Sequence, residues 1–212
     1  MPAALTRSDR RRTRNRDAIL SAAETLFGAR GIEAVSIDEI AEAADLAKGT
    51  VYNHFADKDA LAAEIAAAAR ADGEARVRQA NAGLSDPVRR TIRGVLVFAR
   101  FAAERPDRAR AMMRLTPGTA DPFAPVNEGL HRDVATGLAS GAFTGEIESA
   151  TLLVLGLAQV LIARIVGGRL DRDAAQILAQ NAGALALRGL GLASDAAITT
   201  AAAEAADIFM GD

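Results

Sequence analysis

The side chains best suited to bind a ligand form one dense group of hydrogen-bond donors in the first third of the chain. The group comprises Lys48, Gly49, Thr50, Tyr52, Asn53, His54 and Lys58. Ammonium, hydroxyl, amide and imidazole groups donate to phosphate oxygens and to base edges. Gly49 costs a helix about 1 kcal/mol relative to Ala, and close approach of the backbone to a ligand is a reason to accept that cost. The group therefore indicates a surface for nucleic acid, with a merely solvated helical hairpin as the alternative.

Two short helices would carry these donors. Ser36 and Glu39 have the spacing of a capping box, so a helix begins there, and Ile40 lies on its apolar face. Asp45 suits a tight turn, because Asp tolerates left-handed dihedral angles. A second helix over residues 47–53 retains little apolar surface. This pattern predicts a helix-turn-helix, in which the second helix enters the major groove of DNA.

A block of arginines precedes this motif. Its members are Arg7, Arg10, Arg11, Arg12, Arg14 and Arg16, opposed by Asp9. Such a block is commonly a solvated, mobile tail, but beside a helix-turn-helix we expect it to reach phosphates or the adjacent minor groove. The apolar spacing of residues 19–27 then predicts a helix that Gly31 ends and that packs across the motif.

The positions that carry the motif resemble the signature of TetR-family transcriptional regulators. They are Ile40, Ala41, Ala44, Lys48, Gly49, Thr50, Val51, Tyr52, His54, Phe55, Lys58 and Leu61. The resemblance implies an all-α fold with a three-helix DNA-binding head at residues 1–60. A long helix would join this head to a helical body at residues 61–212, which binds an effector and forms a dimer. The turn departs from the usual Gly-Val-Ser of that family, since it is Asp45-Leu46-Ala47 and lacks the capping Ser.

The remainder of the chain is also predicted to be helical. Asp57 opens a long helix that Gly73 interrupts, and Pro87 stands in the first turn of the next helix. The residues 116–125 are rich in Pro and Gly and predict a loop. Ser194 is expected to cap the last helix. Further helices are expected at about residues 106–115, 126–138, 147–166 and 171–190.

The overall composition limits the class of protein. Half of the 212 residues are hydrophobic and 4% are aromatic, so a sizeable core must be built mainly from aliphatic side chains. The net charge of −2 argues against indiscriminate coating of nucleic acid. No Cys is present and no signal-peptide pattern opens the chain, so we expect a cytoplasmic protein.

The most apolar stretch, residues 147–166, is at the lower length limit of a membrane span and contains Glu148, Gln159 and Arg164. A buried helix is therefore the better interpretation, and no membrane partner is expected. Small residues recur along this stretch and the following helix, which suits close helix packing. The family resemblance implies a homodimer through residues 147–190, with packing inside one subunit as the alternative.

The resemblance further implies a ligand-responsive repressor that binds double-stranded operator DNA. The expected DNA contacts are Arg14, Ser36, Lys48, Gly49, Thr50, Tyr52, Asn53, His54 and Lys58. A small apolar or amphipathic effector is expected among Phe98, Phe101, Met112, Met113, Phe123, Asn127, His131 and Gln159. Ordinary core packing is the alternative for each Phe and Met. Arg100 is expected to pair with Glu104, and a pocket cation for an acidic effector is the alternative.

A helical-bundle enzyme or metal-binding protein without DNA binding is the competing class. Glu128 and His131 have the spacing of one half of a di-iron motif, but such sites need a second pair and two further Glu. The sequence also lacks a phosphate-binding Gly loop and a recognisable nucleophile motif. We therefore expect no enzymatic activity, no metal and no cofactor.

Overall fold

The computed structural model describes residues 6–115, 121–124 and 127–211, which contain ten α-helices and no β-strand. The predicted all-α fold is thus confirmed, while most of the predicted loop at 116–125 lies outside the described residues. The helices are α1 Arg7–Arg30, α2 Ile37–Ala43, α3 Lys48–Tyr52, α4 Lys58–Ala80, α5 Pro87–Glu104, α6 Pro106–Leu115, α7 Glu128–Ala139, α8 Ile147–Gly168, α9 Arg172–Gly189 and α10 Ser194–Met210.

Helices α1 to α4 enclose the apolar core of an N-terminal head. Ile19 and Phe27 of α1, Ile40 of α2, Val51 of α3 and Leu61 of α4 have no exposed surface and belong to one cluster. The short α3 contributes one fully buried side chain to this core. Most of its remaining surface is therefore free to face a partner.

The local signals around the motif act as the sequence predicts. The Ser36 hydroxyl accepts a hydrogen bond from the Glu39 N–H at 3.2 Å, and the Glu39 carboxylate accepts one from the Ser36 N–H at 2.8 Å. Asp45 has φ of 54°, the left-handed conformation that the tight turn requires. Ala47 occupies the N-cap of α3 and makes no side-chain cap.

Helix α1 begins earlier than predicted. Thr6 and Asp9 form a capping box, and the arginine block is the N-terminal part of α1. The block is therefore helical and not a mobile tail. These arginines therefore project from a helix that packs against α2 and α3.

Two further local predictions are wrong. Gly73 does not interrupt α4 but lies in its interior, where an added Cβ would stand 2.8 Å from the Phe98 ring. Its lack of a side chain therefore serves the close approach of α4 and α5. Ser194 is the first residue of α10 and does not cap it, because Ala193 is the N-cap and makes no side-chain hydrogen bond.

The body is built around α5, which contacts every helix from α4 to α10. Its Ile92, Leu96, Ala99 and Ala102 are at most 1% exposed. Helix α8 is long and apolar enough, by length and composition alone, to cross a membrane, and 39% of its most apolar stretch is buried. Its inner face packs against α5, α7 and α9, whereas its outer face is exposed.

Helix α6 belongs to both parts of the molecule. Ala111 and Leu115 lie in the head cluster, whereas Ala109 lies in the body cluster. Helix α6 is therefore a second connection between head and body, in addition to α4. The head cluster also extends along α4 as far as Ala66, past the predicted boundary at residue 60.

Candidate nucleic-acid interface and ligand cavity

Helix α3 presents most of the predicted DNA-binding side chains on one exposed surface. Lys48, Gly49, Tyr52 and Asn53 are exposed, and Thr50 is half-buried. An added Cβ at Gly49 would meet no atom within 4 Å, so the backbone is open to close approach there. This surface combines a cation, two hydroxyls and an amide without a bulky group at its start.

The cation of this surface is held by an acid that the sequence reasoning did not identify. Lys48 Nζ lies 2.9 Å from a carboxylate oxygen of Asp38 on α2. Its hydrogen bond to Asp38, together with the charge of that carboxylate, raises the pKa of Lys48. Both side chains are largely exposed, so the pair can exchange for a phosphate contact at little cost.

Lys58 has a structural task within the head. Its Nζ donates to the carbonyl of Ile32 at 3.1 Å and to the carbonyl of Val35 at 2.9 Å. Two of its three N–H groups therefore fix the segment between α1 and α2. Ser36 is likewise engaged in its capping box, and both residues remain predictions as DNA contacts.

The arginines of α1 come close to the end of α3. The Arg16 guanidinium lies 4.8 Å from the centre of the Phe55 ring and pairs with Glu64 of α4. Burial lowers the pKa of His54, and the positive charges of Arg12 and Arg16 lower it further. Arg14 is exposed on the same helix. The sequence predicts a basic arm, but the closeness of its charges to His54 depends on the packing of α1 against α3.

The body contains a cavity of about 400 Å³ between α4, α5, α6, α7 and α8. Phe98, Met112, Met113, Asn127 and Gln159 line it, as the sequence predicts for an effector site. Val77 of α4 and Val154 and Ile162 of α8 add to its apolar wall. The cavity therefore offers mainly apolar contact with a few polar groups, as small-molecule sites do.

Three residues predicted to bind an effector are not among those that line the cavity. Phe101 is buried one turn further along α5 than Phe98, and the Arg76 guanidinium lies 5.4 Å from its ring centre. Phe123 is 58% exposed and packs edge-on against the His131 ring, with 5.4 Å between centroids. Residue spacing alone did not distinguish the cavity face of these segments from their other faces.

Arg100 is not among the residues that line the cavity. It pairs with Glu104 at 2.7 Å, as predicted, and also donates to the Ile208 carbonyl at 2.7 Å. Glu128 pairs with Arg132 at 2.6 Å. Among the described residues, no group of three or more His, Cys, Asp or Glu side chains is arranged to hold a metal ion.

The helices that form the head match a known family. Residues 19–65, from the middle of α1 to the first part of α4, match the model of bacterial regulatory proteins of the tetR family. These residues therefore form a DNA-binding head of the tetR-family type. The predicted family and helix-turn-helix head are thereby confirmed.

Curated relatives that match part of this chain are transcriptional regulators. The HTH-type transcriptional repressor KstR2 of Rhodococcus jostii is 40% identical over 50 residues, which are 24% of each chain. The HTH-type transcriptional regulator AcrR of Shigella flexneri is 31% identical over 101 residues, which are 47% of this chain and 46% of AcrR. The matches therefore span between a quarter and a half of these relatives.

Solved structures extend the likeness to the body. A gamma-butyrolactone receptor (ArpA-like protein) is 22% identical with a TM-score of 0.68, over 93% of this chain and 98% of the receptor. RolR in complex with the ligand resorcinol is 25% identical with a TM-score of 0.55, over 91% of this chain and 95% of RolR. The TetR-family fold thus accounts for the whole arrangement of head and body.

Proposed function

We propose that this TetR-family protein is a homodimeric repressor that binds double-stranded operator DNA and releases it when a small effector occupies the body. The observation that carries the proposal is the exposed donor surface of α3, which is held in place by the buried apolar core of a tetR-family head. A dimer would place two α3 helices in successive major grooves about 34–36 Å apart. The operator should therefore be approximately palindromic.

The types of side chain on the head support a division of labour at the DNA. Lys48, Tyr52 and His54 would contact phosphates, together with the arginines of α1. Thr50 and Asn53 would lie nearer the base edges, where an amide can form two hydrogen bonds with adenine. Phosphate contacts would position the head, and the base contacts would select the operator sequence.

The cavity of the body supports the proposal that the protein binds a small effector there. Its volume of about 400 Å³ falls within the range of small-molecule sites, which is about 300–1,000 Å³. The structural relative RolR holds resorcinol, a small organic molecule. We therefore propose the predicted head at residues 1–60, with its core continued along α4 to Ala66, as the DNA-binding part, and the remainder of residues 61–212 as the effector-binding and dimerisation body.

Helix α6 supports a physical route from the cavity to the head. Met112 and Met113 line the cavity, and Leu115 of the same helix is buried in the head core. At the contact with α1, an added Cβ at Gly28 would stand 2.9 Å from the Asp107 carbonyl oxygen. Because backbone meets backbone there, a shift of α6 would move α1 without being absorbed by a flexible side chain.

The exposed apolar surface of α8 and α9 supports a homodimer. Val160 of α8 is 66% exposed, and Ile177 and Leu185 of α9 are 62% and 64% exposed. These residues follow helical spacing, as do the exposed Leu152 and Leu153 of α8. Several large apolar side chains exposed on two helices in contact are typical of an interface. A second copy would cover it.

DNA binding is tested by selecting bound fragments from a random DNA pool and measuring affinity for the selected sequence at several salt concentrations. We expect a palindromic site. Lys48→Ala should weaken binding and reduce the magnitude of the slope of log affinity against log salt by about one. Arg105→Ala is the control, because Arg105 is an exposed cation between α5 and α6 in the body. Equal effects of the two variants, or no enriched sequence, would contradict the proposal.

The effector role is tested by a thermal-shift screen for ligands, followed by titration of each stabilising ligand into the complex with operator DNA. A coupling of about 1–3 kcal/mol would weaken operator binding by about 5- to 150-fold. By thermodynamic linkage, operator DNA should weaken ligand binding by the same factor. Ligands that stabilise the body but leave operator affinity unchanged would indicate a constitutive DNA-binding protein instead.

A further inference from the structure

Among the residues that the structure describes, the charged groups that line the cavity are matched in number and paired with one another. Arg78 lies 3.5 Å from Glu74, and Arg132 lies 2.6 Å from Glu128. These two pairs are largely exposed and lie at the rim. Three arginines and three acids are therefore engaged in pairs around the cavity once the inner pair of Arg90 and Asp133 is included.

The inner pair is committed to several partners. Arg90 Nε lies 2.7 Å from Asp133 Oδ1, and its guanidinium also donates to the Leu84 carbonyl at 3.1 Å. Asp133 is 8% exposed. An anionic or cationic ligand would have to break one of these pairs or lose its hydration without compensation, which is unfavourable. The cavity therefore favours an uncharged ligand.

Two buried polar atoms in the cavity wall have no hydrogen-bond partner within the described part of the chain. They are Oδ1 of Asn81 and Oγ1 of Thr91, on residues that are 3% and 2% exposed. The orientation of the Asn81 amide is fixed, because its Nδ2 donates to the Arg90 carbonyl at 3.2 Å. The atom without a partner is therefore an acceptor, and such atoms are normally satisfied in folded proteins.

We infer that the effector is an uncharged molecule with an apolar body and a hydroxyl or N–H group, which donates a hydrogen bond to Asn81 and meets the hydroxyl of Thr91. This inference rests on the proposed effector site. Asn81 Oδ1 accepts a hydrogen bond from the hydroxyl or N–H group of the effector. The Thr91 hydroxyl either donates a hydrogen bond to the same group or accepts one from it. The apolar body lies along Val77, Phe98 and Ile162.

The position of these two atoms gives the hydrogen bond a consequence for the head. Asn81 is the C-cap residue of α4, the helix whose Leu61 is buried in the head core. Thr91 lies on α5, the central helix of the body. A ligand that bridges the two would fix the end of α4 against α5. The ligand would therefore act directly on the connecting helix.

The test uses three matched series of probes with propyl, pentyl and heptyl chains. They are para-alkylphenols, their methyl ethers, which lack the donor, and the corresponding para-alkylbenzoates, which carry a charge. Binding is measured by calorimetry on the full-length protein. We expect a phenol to bind tightest, by roughly 3- to 10-fold over its methyl ether, which corresponds to one hydrogen bond. The benzoates should bind more weakly than both.

Variants of the wall assign the hydrogen bond to its residues. Thr91→Val removes the unpartnered hydroxyl, so the melting temperature should not fall while the preference for phenol over ether decreases. Asn81→Leu should reduce the same ratio. Thr151→Val is the matched control, because Thr151 is a buried helical Thr outside the cavity whose hydroxyl already donates to the Ile147 carbonyl at 2.7 Å. It should leave the ratio unchanged.

The inference is overturned if no phenol binds, if an ether or a benzoate binds tightest, or if Thr91→Val preserves the wild-type ratio. Operator affinity is measured on the same preparations. Failure of the probe series with operator binding intact would refute the chemical class of effector alone. Loss of specific DNA binding in the unmodified protein would instead count against the proposed repressor.

Discussion

Gly49 is exposed on α3 and has no neighbour within 4 Å of the position that a Cβ would occupy. In the free protein, Gly49→Ala should therefore raise the free energy of unfolding by up to about 1 kcal/mol through helix propensity. If the backbone at this position approaches DNA, the added methyl group should at the same time weaken operator binding. Chemical denaturation and operator titration measure the two effects separately.

Gly129→Ala is the control for this prediction. Gly129 also lies in a helix and has no neighbour within 4 Å of an added Cβ, but it belongs to α7, where it lines the cavity of the body and not the DNA-binding surface, so operator affinity is compared without a ligand. It should show a comparable gain in stability without a change in operator affinity. A Gly49→Ala variant that binds the operator as tightly as the wild type would remove Gly49 from the DNA interface.

His54 should make operator binding depend on pH. Burial and the charges of Arg12 and Arg16 lower the pKa of His54, so the imidazole is neutral near pH 7 in the free protein. A phosphate beside it would favour the imidazolium and raise that pKa, so binding should take up a proton. Operator affinity should therefore increase as the pH falls from about 8 to about 6.

His54→Gln should flatten this dependence over the same pH range. The stability of the free head should change with pH in the opposite direction to operator affinity. Because the pKa of His54 is lower in the folded head than in the unfolded chain, the unfolded chain binds more protons. Acidification through the ordinary His pKa of 6.5 therefore lowers the stability of the head. A rise in affinity cannot then be attributed to a more stable head. Identical pH profiles for the two proteins would exclude a phosphate contact by His54.

At the residue scale, the predictions that succeeded depend on neighbours in sequence. The capping box of Ser36 and Glu39 and the left-handed Asp45 follow from local backbone geometry. The pair of Lys48 and Asp38 depends instead on how α2 and α3 pack. The same holds for Lys58, whose carbonyl partners lie 23 and 26 residues away. Spacing along one helix cannot supply such contacts.

At the scale of helices, the crossing of α4 and α5 couples the connecting helix to the cavity. A Cβ at Gly73 would stand 2.8 Å from Cε1 and 3.0 Å from Cζ of Phe98. Phe98 is partly buried and lines the cavity, so its ring can swing into that space. Gly73→Ala should therefore change stability by less than about 1 kcal/mol, because helix propensity offsets the contact, but it should reduce the space for an effector.

A crystal structure of Gly73→Ala should show the Phe98 ring displaced into the cavity, and ligands from the thermal-shift screen should bind less tightly. Adding Phe98→Leu to this variant should restore binding, since the smaller side chain leaves the space open. A double-mutant cycle measures the coupling between the two positions. Strictly additive effects on ligand affinity would show that the two residues act independently.

The sequence predicted most helices and their approximate bounds but not the double role of α6. A helix of ten residues shows a single apolar face in its spacing, and that face does not reveal that two different cores cover it. The helical conformation of the arginine block was also missed. The capping box of Thr6 and Asp9 was present in the sequence, but the density of arginines favoured a tail.

At the scale of the whole molecule, DNA binding should depend on dimer formation through α8 and α9. Leu185→Glu places a charge in the proposed interface, where burial without a partner is unfavourable. The variant should sediment as a monomer and lose most of its operator affinity, because one head contacts one half-site. Ile198→Glu is the control, since Ile198 is 53% exposed on α10, outside the proposed interface.

The melting temperature supplies a second test of the dimer. For a dimer it rises with protein concentration, and for a monomer it does not. The wild type and Ile198→Glu should show this dependence, and Leu185→Glu should not. A dimeric Leu185→Glu variant with normal operator affinity would place the interface elsewhere on the molecule.

The contact between α1 and α6 has a consequence for how the sequence can vary during evolution. At Gly28 the nearest atom to an added Cβ is the backbone oxygen of Asp107, which no substitution can remove. At Gly73 the obstacle is a side chain, so a larger residue there can be accompanied by a smaller residue at position 98. Homologous chains with this packing should therefore keep Gly at position 28, while positions 73 and 98 should covary.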